Sequence, residues 1–488
     1  MLFAVSQPSI GVSATAWIAL VPACWAIVQA RTWQHALIIG ASLGALTTGL
    51  VCWWLPQSVQ AFHGVSPWAA WPIFVGYAFV GQLQFPIFAL LRWRWRERHD
   101  VATVLVLAAS YTGLDWLTPK LFKDTLALAF YADAHVIQIA DLGGIFLLTF
   151  VAVLVNQAVV AGLATRRRSW PVVLVSGGAL LATVGYSVVR RNQIVDATTI
   201  APRFRAAVIQ ANVGNFQKVA AERGDFDAVV DVMKRYGTLS DREMTGPVPP
   251  DVIVWPETAY PLAWGAHRTP LDDQIDEELT SYTRERNVAL VFGGYHRVET
   301  REYNSAIVLG PDGHADVYHK YLLVPFAEQM PFGKAMFSTG DSPRTLALPL
   351  RSGGAVTVAP IICYEALAPS HVIAGVRAGG QVILNLTNDS WFIATAEKKL
   401  HFASSVLRSV ETRRAQIRST NTGISALILP DGTAENAGPV DAEVALSYEV
   451  PILTGTSLAV NFGAWAGPVC LGCGLLGVIG LELRRRRR

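Results

Sequence analysis

Three segments of this sequence place an ionisable side chain where an apolar run gives way to a turn. Glu257 follows the run VIVWP, Lys320 follows VYH, and Cys363 ends the run AVTVAPII. A thiol is mostly protonated near neutral pH and needs a base or a nearby cation to become a nucleophile. If these strand ends converge, Glu257 can accept the thiol proton. Lys320 can then stabilise the thiolate and a later oxyanion.

Each of these residues also has an ordinary structural interpretation. A free cysteine is usually a small buried hydrophobe, so Cys363 can be core packing. Glu257 can be a helix cap or a surface charge, and Lys320 a solvated turn residue. Three such residues at apolar run ends within one region favour the catalytic interpretation.

Composition indicates a membrane protein. The 488 residues are 52% hydrophobic and only 16% charged, whereas about a quarter of a typical soluble domain is charged. A formal net charge of +3 is too small to indicate nucleic-acid binding. Four of the five cysteines lie in long apolar segments, which predicts packing and no disulfide framework; they are Cys24, Cys52, Cys470 and Cys473.

Seven apolar stretches are long enough, or nearly so, to cross a bilayer. They lie at 14–30, 36–56, 68–91, 101–117, 142–165, 170–189 and 458–481. Counting the membrane crossings between them places three arginine clusters on the same side of the membrane, at 92–98, 166–168 and 484–488. The positive-inside rule makes that side cytoplasmic. We therefore predict a membrane bundle over 1–200, an extracytoplasmic domain over 201–452, and a final span with a cytoplasmic tail over 453–488.

The region between the sixth and seventh stretches alternates β-rich and helical patterns. Strands are predicted at 204–213, 251–255, 289–295, 304–309, 355–362, 382–386 and 424–429, and helices at 225–236, 271–286 and 399–414. In the last helix, Phe402, Val406 and Val410 form one apolar face. The alternation predicts an α/β fold in which helices cover a sheet.

Longer motifs carry a resemblance to a known family. The segments WPE (255–257), YHKYLLVPFAE (318–328) and CYE (363–365) resemble the Glu-Lys-Cys motifs of the nitrilase, or carbon-nitrogen hydrolase, superfamily. The segments NLTNDSWF (385–392) and RSTNTGISALILPDG (418–432), together with the flanking membrane stretches, are similar to bacterial apolipoprotein N-acyltransferases.

The resemblance implies a nitrilase-like αββα sandwich attached to a multi-helix transmembrane bundle in the bacterial inner membrane. It implies an acyltransferase that moves an acyl chain from a phospholipid, through a cysteine thioester, to the α-amino group of a diacylglyceryl-cysteine at a lipoprotein's N-terminus. Cys363 is then the nucleophile, Glu257 the general base and acid, and Lys320 the oxyanion stabiliser. The supporting residues are Glu328, Glu365 and, through its backbone N–H or ring, Tyr364. We expect a monomer that needs no cofactor and no metal.

Three features depart from the family pattern. The family usually begins with one more complete spanning helix, of which residues 1–8 resemble only the end. An aromatic residue often follows the lysine at Lys218, where this chain has Val219, and the usual glycine after the Asp-x-Trp-Phe sequence is Ile393. The loop after Ile393 is therefore expected to influence access or acceptor preference.

Three other functions fit parts of the pattern. A membrane-anchored amidase of the nitrilase type would use the same three residues with water as acceptor. A non-catalytic scaffold that binds lipid or lipoprotein would not need them intact. A transporter would need polar residues within its spans, where Asp115 is the main charged side chain.

Overall fold

The computed structural model describes residues 1–63, 65–165, 169–223, 225–266, 269–329, 336–390, 392 and 395–486. The chain divides into two compact units. One contains Met1–Asn192 and Ser457–Arg488, and the other contains Gln193–Thr456. The predictions that concern the arginines at 166–168 and 487–488, and Ile393, lie outside the described residues.

The helices lie mainly in the first unit and around the sheets of the second. In chain order they are α1 (Leu2–Ser6), α2 (Val21–Gln29), α3 (Trp33–Val51), α4 (Leu55–His63), α5 (Pro67–Val80), α6 (Gln84–Arg94), α7 (Val101–Leu117), α8 (Ala140–Gly143), α9 (Ile145–Thr165), α10 (Trp170–Ile200), α11 (Asn215–Glu222), α12 (Phe226–Met244), α13 (Pro270–Arg286), α14 (Pro369–Arg377), α15 (Thr395–Thr412), α16 (Leu458–Phe462) and α17 (Ala466–Arg486). Short 3₁₀ helices cover Ser13–Ile18, Leu126–Phe130, Ile137–Ile139 and Cys363–Leu367.

The strands belong to the second unit. They are β1 (Arg203–Gln210), β2 (Val252–Val254), β3 (Ala263–Trp264), β4 (Ala289–Val298), β5 (Arg301–Leu309), β6 (Ala315–His319), β7 (Leu346–Pro349), β8 (Ala355–Ile362), β9 (Val382–Thr387), β10 (Ala415–Thr420), β11 (Ala426–Ile428), β12 (Ala434–Glu435) and β13 (Val444–Pro451).

Among the described residues, five helical segments are long and apolar enough to cross a membrane. They are Trp33–Val51, Pro67–Arg94, Ile145–Thr165, Trp170–Ile200 and Ala466–Arg486, and two shorter apolar segments cover Ser13–Gln29 and Val101–Leu117. Each segment overlaps one of the seven predicted stretches. The last span begins at Ala466, later than predicted, because the short helix α16 ends at a glycine with φ 80°.

Glycines allow α7 and α17 to pack closely within the first unit. A Cβ added to Gly113 of α7 would lie 2.4 Å from the backbone of Leu471, and one added to Gly474 would lie 2.9 Å from Ser110. Small residues permit such close approach between helices in a membrane. The final span therefore packs against α7 through backbone contact that any larger side chain would obstruct.

Asp115, the charged residue near the end of a predicted span, is paired. Its Oδ1 lies 2.5 Å from the Nζ of Lys120, and its Oδ2 accepts a hydrogen bond from Thr125. All three side chains are buried. Asp115 was the main charged residue within the predicted spans, and its two partners come from the loop that directly follows α7.

Two mixed sheets form the second unit. The first has the strand order β13-β1-β2-β4-β5-β6 with β3 added beside β4, and the second has the order β12-β11-β10-β9-β8-β7. In the first sheet β1, β2, β3 and β4 run parallel, and in the second β8, β9 and β10 do. The carboxyl ends of parallel strands share one edge, which is where side chains for a site are commonly gathered.

The alternation of side chains along each strand explains the layering. Val208 of β1 and Val254 of β2 face a core shared with Val358 and Leu384 of the second sheet. Their neighbours Ile209 and Ile253 face the opposite way, against apolar residues of α12 and α13. Helices α14 and α15 cover the other face of the second sheet. The predicted nitrilase-like αββα sandwich is confirmed.

Two local predictions were wrong. The sequence predicted an amphipathic helix with one apolar face at 399–414, yet every side chain of α15 from Leu400 to Thr412 is buried. Polar side chains on its other faces bond within the protein, as the Ser405 hydroxyl does when it accepts from Asn385 and Arg418. The predicted strands also omit β3, β6, β7, β10, β12 and β13, and the positions of β10 and β13 depend on pairing with β9 and β1.

Candidate active site

Glu257 lies just beyond the carboxyl end of β2 and is 6% exposed. Its Oε1 accepts hydrogen bonds from Asn304 (2.8 Å) and from Lys320 Nζ (3.1 Å), and its Oε2 accepts one from the backbone N–H of Asn388 (2.8 Å). Gly293 of β4 packs directly against it, since a Cβ there would lie 2.4 Å from the Glu257 Cα. The carboxylate is thus fixed in position on both oxygens.

Lys320 follows β6 directly and is almost fully buried. Its Nζ lies 3.1 Å from Glu257 and 2.8 Å from Glu328. Burial alone disfavours the charge, but the two carboxylates outweigh it and raise the pKa of Lys320 above its ordinary value. The lysine is therefore a permanent cation within the site.

Glu328 lies in the loop that follows Lys320. Its Oε1 accepts from Lys320 and from Asn304, and its Oε2 accepts from the backbone N–H of Val324. The carboxylate therefore bonds to the backbone of its own loop and to Lys320 at the same time. Among the predicted supporting residues, it is the one that contacts Lys320 directly.

Cys363 begins the 3₁₀ helix that follows β8 and has φ 49°. This left-handed conformation is costly for a residue with a side chain, and such strain is concentrated at functional sites. Burial raises the pKa of the Cys363 thiol well above its usual range, Glu257 raises it further, and Lys320 lowers it. The three predicted residues are therefore close enough to interact electrostatically, and the resting thiol is protonated.

Glu328 contacts Lys320 itself, whereas Glu365 accepts hydrogen bonds from backbone N–H groups next to Lys320 and next to Cys363. Its Oε1 accepts from the N–H groups of Tyr321 (2.7 Å) and Leu322 (3.1 Å), and its Oε2 accepts from that of Ile362 (2.7 Å). These N–H groups adjoin Lys320 and Cys363 in the chain. Burial opposes its charge, but His371, Tyr318 and Ile362 lower the pKa of Glu365. A charged Glu365 thus fixes two segments of the site relative to each other.

Tyr364 is partly buried beside the nucleophile. Burial raises the pKa of its phenol to about 12, so the hydroxyl is neutral. Its predicted role, through the backbone N–H or the ring, stays a prediction.

Several residues of the site were not predicted from sequence. Asn304 donates to both Glu257 and Glu328, and its carbonyl accepts from the N–H of Lys320. Lys218 is buried next to Thr258, and burial lowers the pKa of its ammonium, while Glu222 and Glu257 raise it. Val219, which stands where the family often has an aromatic, is partly buried in α11. The sequence signal that could have pointed to Asn304 is a polar residue within a β-rich run.

One group of side chains has the composition of a metal site. Ligand atoms of Cys363, Asp389 and His401 all lie within 4.8 Å of one another. Both ring nitrogens of His401 are already hydrogen-bonded, to Asp389 Oδ1 and to the Cys363 carbonyl. The geometry therefore fits a hydrogen-bonded arrangement better than a metal centre.

Comparisons with known proteins agree with this organisation. A family model described as "Apolipoprotein N-acyltransferase N-terminal domain" matches residues 1–158, and one described as "Carbon-nitrogen hydrolase" matches residues 205–445. An apolipoprotein N-acyltransferase of Rhodopseudomonas palustris is 32% identical, over 74% of this chain and 69% of its own. The chain belongs to the apolipoprotein N-acyltransferase family. An apolipoprotein N-acyltransferase of Geobacter metallireducens is 27% identical over 100% of this chain and 94% of its own.

A solved structure is also similar to part of this chain. An amidase from a Nesterenkonia species is 17% identical, covers 51% of this chain and 91% of its own, and has a TM-score of 0.37. This member of the family has a carbon-nitrogen hydrolase region and long apolar helices that suit a bacterial inner-membrane protein.

Proposed function

We propose that this chain is a phospholipid:apolipoprotein N-acyltransferase in which Cys363 carries the acyl group as a thioester. The observation that carries the proposal is the fully hydrogen-bonded Glu257–Lys320–Glu328 arrangement, electrostatically coupled to a buried, strained Cys363. Family membership supplies the two lipid substrates.

In the first half-reaction the Cys363 sulfur attacks the ester carbonyl of a membrane phospholipid. Glu257 takes the thiol proton as the S–C bond forms, and it gives that proton to the departing alkoxide as the C–O bond breaks. Lys320, together with a backbone N–H after the cysteine, stabilises the negative oxygen of the tetrahedral intermediate. The products are the acyl-enzyme and a lysophospholipid.

In the second half-reaction the α-amino group of a diacylglyceryl-cysteine attacks the thioester. The C–N bond forms and the C–S bond breaks, and the amine proton passes through Glu257 to the sulfur. A thioester keeps enough of the acyl bond energy to make an amide, so neither step needs a soluble cofactor. We also propose that the chain acts as a monomer.

We propose that this chemistry takes place on the periplasmic side of the inner membrane, as the arginine clusters indicate. A reporter that is active only outside the cytoplasm should be active when fused after Pro451 and inactive when fused after residue 488. The opposite pattern would contradict the orientation and the access to lipoprotein substrates.

The function is tested with the purified full chain and phospholipid carrying an isotope-labelled acyl chain. Intact mass should increase by one acyl group, located on Cys363, and a diacylated lipopeptide should then remove and acquire that group. Cys363→Ala should abolish both signals, and Cys473→Ala, at an exposed cysteine, should change neither.

The alternatives give different products in the same assay. An amidase-type hydrolase would release the labelled chain as free fatty acid without lipopeptide. A non-catalytic scaffold would leave the phospholipid intact. Either result would contradict the proposed transfer.

A further inference from the structure

The strained turn at Cys363 is held from both ends. On one side, the N–H of Ile362 donates to Glu365 Oε2 at 2.7 Å. On the other, the carbonyl oxygen of Cys363 accepts a hydrogen bond from Nε2 of His401 at 2.9 Å. His401 lies on α15, a helix distant in sequence from the cysteine, and it is almost fully buried.

The histidine is itself held by a buried ion pair. Its Nδ1 lies 3.0 Å from Asp389 Oδ1, and Asp389 Oδ2 lies 3.1 Å from the guanidinium of Arg418. Asp389 and Arg418 belong to the two long motifs, NLTNDSWF and RSTNTGISALILPDG, which the catalytic trio leaves unused. A Cβ added to Gly423 would lie 2.1 Å from Asp389 Oδ2, so the carboxylate has little room to move.

The Cys363 carbonyl decides which atom donates in this contact. A carbonyl oxygen only accepts, so Nε2 of His401 carries the hydrogen of the bond. On the other side of the ring, Nδ1 lies 3.0 Å from Asp389 Oδ1 and 4.0 Å from Glu397 Oε1, and both carboxyl side chains are buried.

Two cations of this region do not contact the ring. Lys398 binds Asp441 and the Thr422 carbonyl, and Arg418, besides pairing with Asp389, donates to Ser405 and to the Ile424 carbonyl. The contacts that reach Cys363 run from Arg418 through Asp389 and His401 to the Cys363 carbonyl.

We propose that His401 is a positioning residue for the nucleophile: its Nε2–H fixes the strained Cys363 peptide, and Asp389, held by Arg418, keeps the imidazole ring in that orientation. By fixing this peptide, His401 sets the direction of the sulfur and of the N–H groups that follow it. The inference rests on the proposed function, because it takes Cys363 as the acyl-carrying residue.

Two substitutions separate the hydrogen bond from general packing. In His401→Gln the amide nitrogen occupies roughly the place of Nε2 and still donates to the Cys363 carbonyl. In His401→Asn the amide nitrogen occupies roughly the place of Nδ1, and that donor is lost. Ser404→Ala is the matched control, because Ser404 lies on the same helix and, among the described residues, its hydroxyl bonds to the Leu400 carbonyl of its own helix alone.

The measured quantities are the rate of acyl loading on Cys363 and the melting temperature of the full chain. We expect His401→Asn to load at least about 10-fold more slowly than wild type, because small displacements of a reacting group are costly. His401→Gln should recover most of that rate at a similar melting temperature, and Ser404→Ala should match wild type. Loading within twofold of wild type in His401→Asn, or equal losses in both variants, would overturn the proposal.

If His401→Asn does not fold, Asp389→Leu provides the test, since it keeps the imidazole and removes the polar group that orients it. Slower loading would support the proposal, and wild-type loading would overturn it. Failure of the proposed function gives a different result, because the wild-type chain itself would then carry no acyl group on Cys363.

Discussion

The Nζ of Lys320 lies 3.1 Å from Oε1 of Glu257, so the proposed base and the proposed oxyanion stabiliser form a buried ion pair. Glu328 lies on the other side of the same ammonium, at 2.8 Å. Burial and the charges of Glu257 and Glu328 raise the pKa of the Cys363 thiol, and the charge of Lys320 lowers it. The electrostatics therefore favour a cysteine that stays protonated until a substrate is bound and loses its proton only as it attacks.

Opposite shifts in thiol reactivity are expected when the two partners are neutralised. Glu257→Gln removes a charge that raises the pKa of Cys363, and Lys320→Met removes one that lowers it. The midpoint of Cys363 alkylation against pH should therefore move down in the first variant and up in the second, because the thiolate is the reacting form. Peptide mass spectrometry after iodoacetamide measures the alkylated fraction of Cys363 at each pH. Shifts in the same direction would contradict the assigned charges.

The same variants should fail in acyl transfer for different reasons. Glu257→Gln cannot accept the thiol proton, and Lys320→Met loses a donor to the oxyanion, a loss on the order of 100-fold or more in rate. Both loading from phospholipid and discharge to lipopeptide should slow. Glu277→Gln, at an exposed glutamate of α13, is the control and should behave as wild type. Wild-type loading by Glu257→Gln would exclude Glu257 as the base.

Gly293→Ala should impair activity without touching a catalytic side chain. The new methyl would lie 2.4 Å from the Cα of Glu257, so the backbone that carries the carboxylate must shift. A displacement of about 1 Å can cost on the order of 100-fold in rate. Gly237→Ala, in α12 with no atom within 4 Å of the added Cβ, should load normally and stabilise the fold by up to about 1 kcal/mol. Equal loading by the two variants would show that this contact does not position Glu257.

Glu365→Gln should destabilise the second unit. The carboxylate accepts from three backbone N–H groups and from the Tyr318 hydroxyl, and an amide would turn its NH₂ towards one of these donors. Removing one partner of such a buried charged network costs about 3 kcal/mol or more. Tyr318→Phe removes a single donor and should cost less. Chemical denaturation measures the free energy of unfolding of both variants. A smaller loss of that free energy in Glu365→Gln than in Tyr318→Phe would contradict the role given to the carboxylate.

Acid should weaken the fold through His319, the residue just before Lys320. Burial, and then His296, lower the pKa of His319 to about 4, whereas a free histidine titrates near 6.5. Between about pH 6.5 and pH 4 the unfolded chain binds a proton that the folded chain does not, so stability falls as pH falls through this window. His319→Gln should reduce the drop in melting temperature between pH 7 and pH 5, and His314→Gln, at an exposed histidine, should leave the drop unchanged. An unchanged drop in His319→Gln would contradict this source of acid sensitivity.

Local pattern was sufficient for the parts of this protein that depend on neighbouring residues. Apolar runs predicted membrane segments because about 20 apolar residues are needed to cross a bilayer, and two-residue alternation predicted strands such as β8 at its observed bounds. Glu257, Lys320 and Cys363 could be proposed because each follows an apolar run directly. The motifs around them carried the family resemblance.

Only the tertiary structure decided how these residues are held. Asn304 joins two carboxylates that lie 47 and 24 positions away, and His401 reaches a carbonyl 38 positions away. The full burial of α15 also depends on the sheet beneath it, because polar side chains such as Ser405 are satisfied there by Asn385 and Arg418. Sequence patterns report which side chains avoid water, whereas hydrogen bonds between distant segments depend on how the two sheets pair and pack.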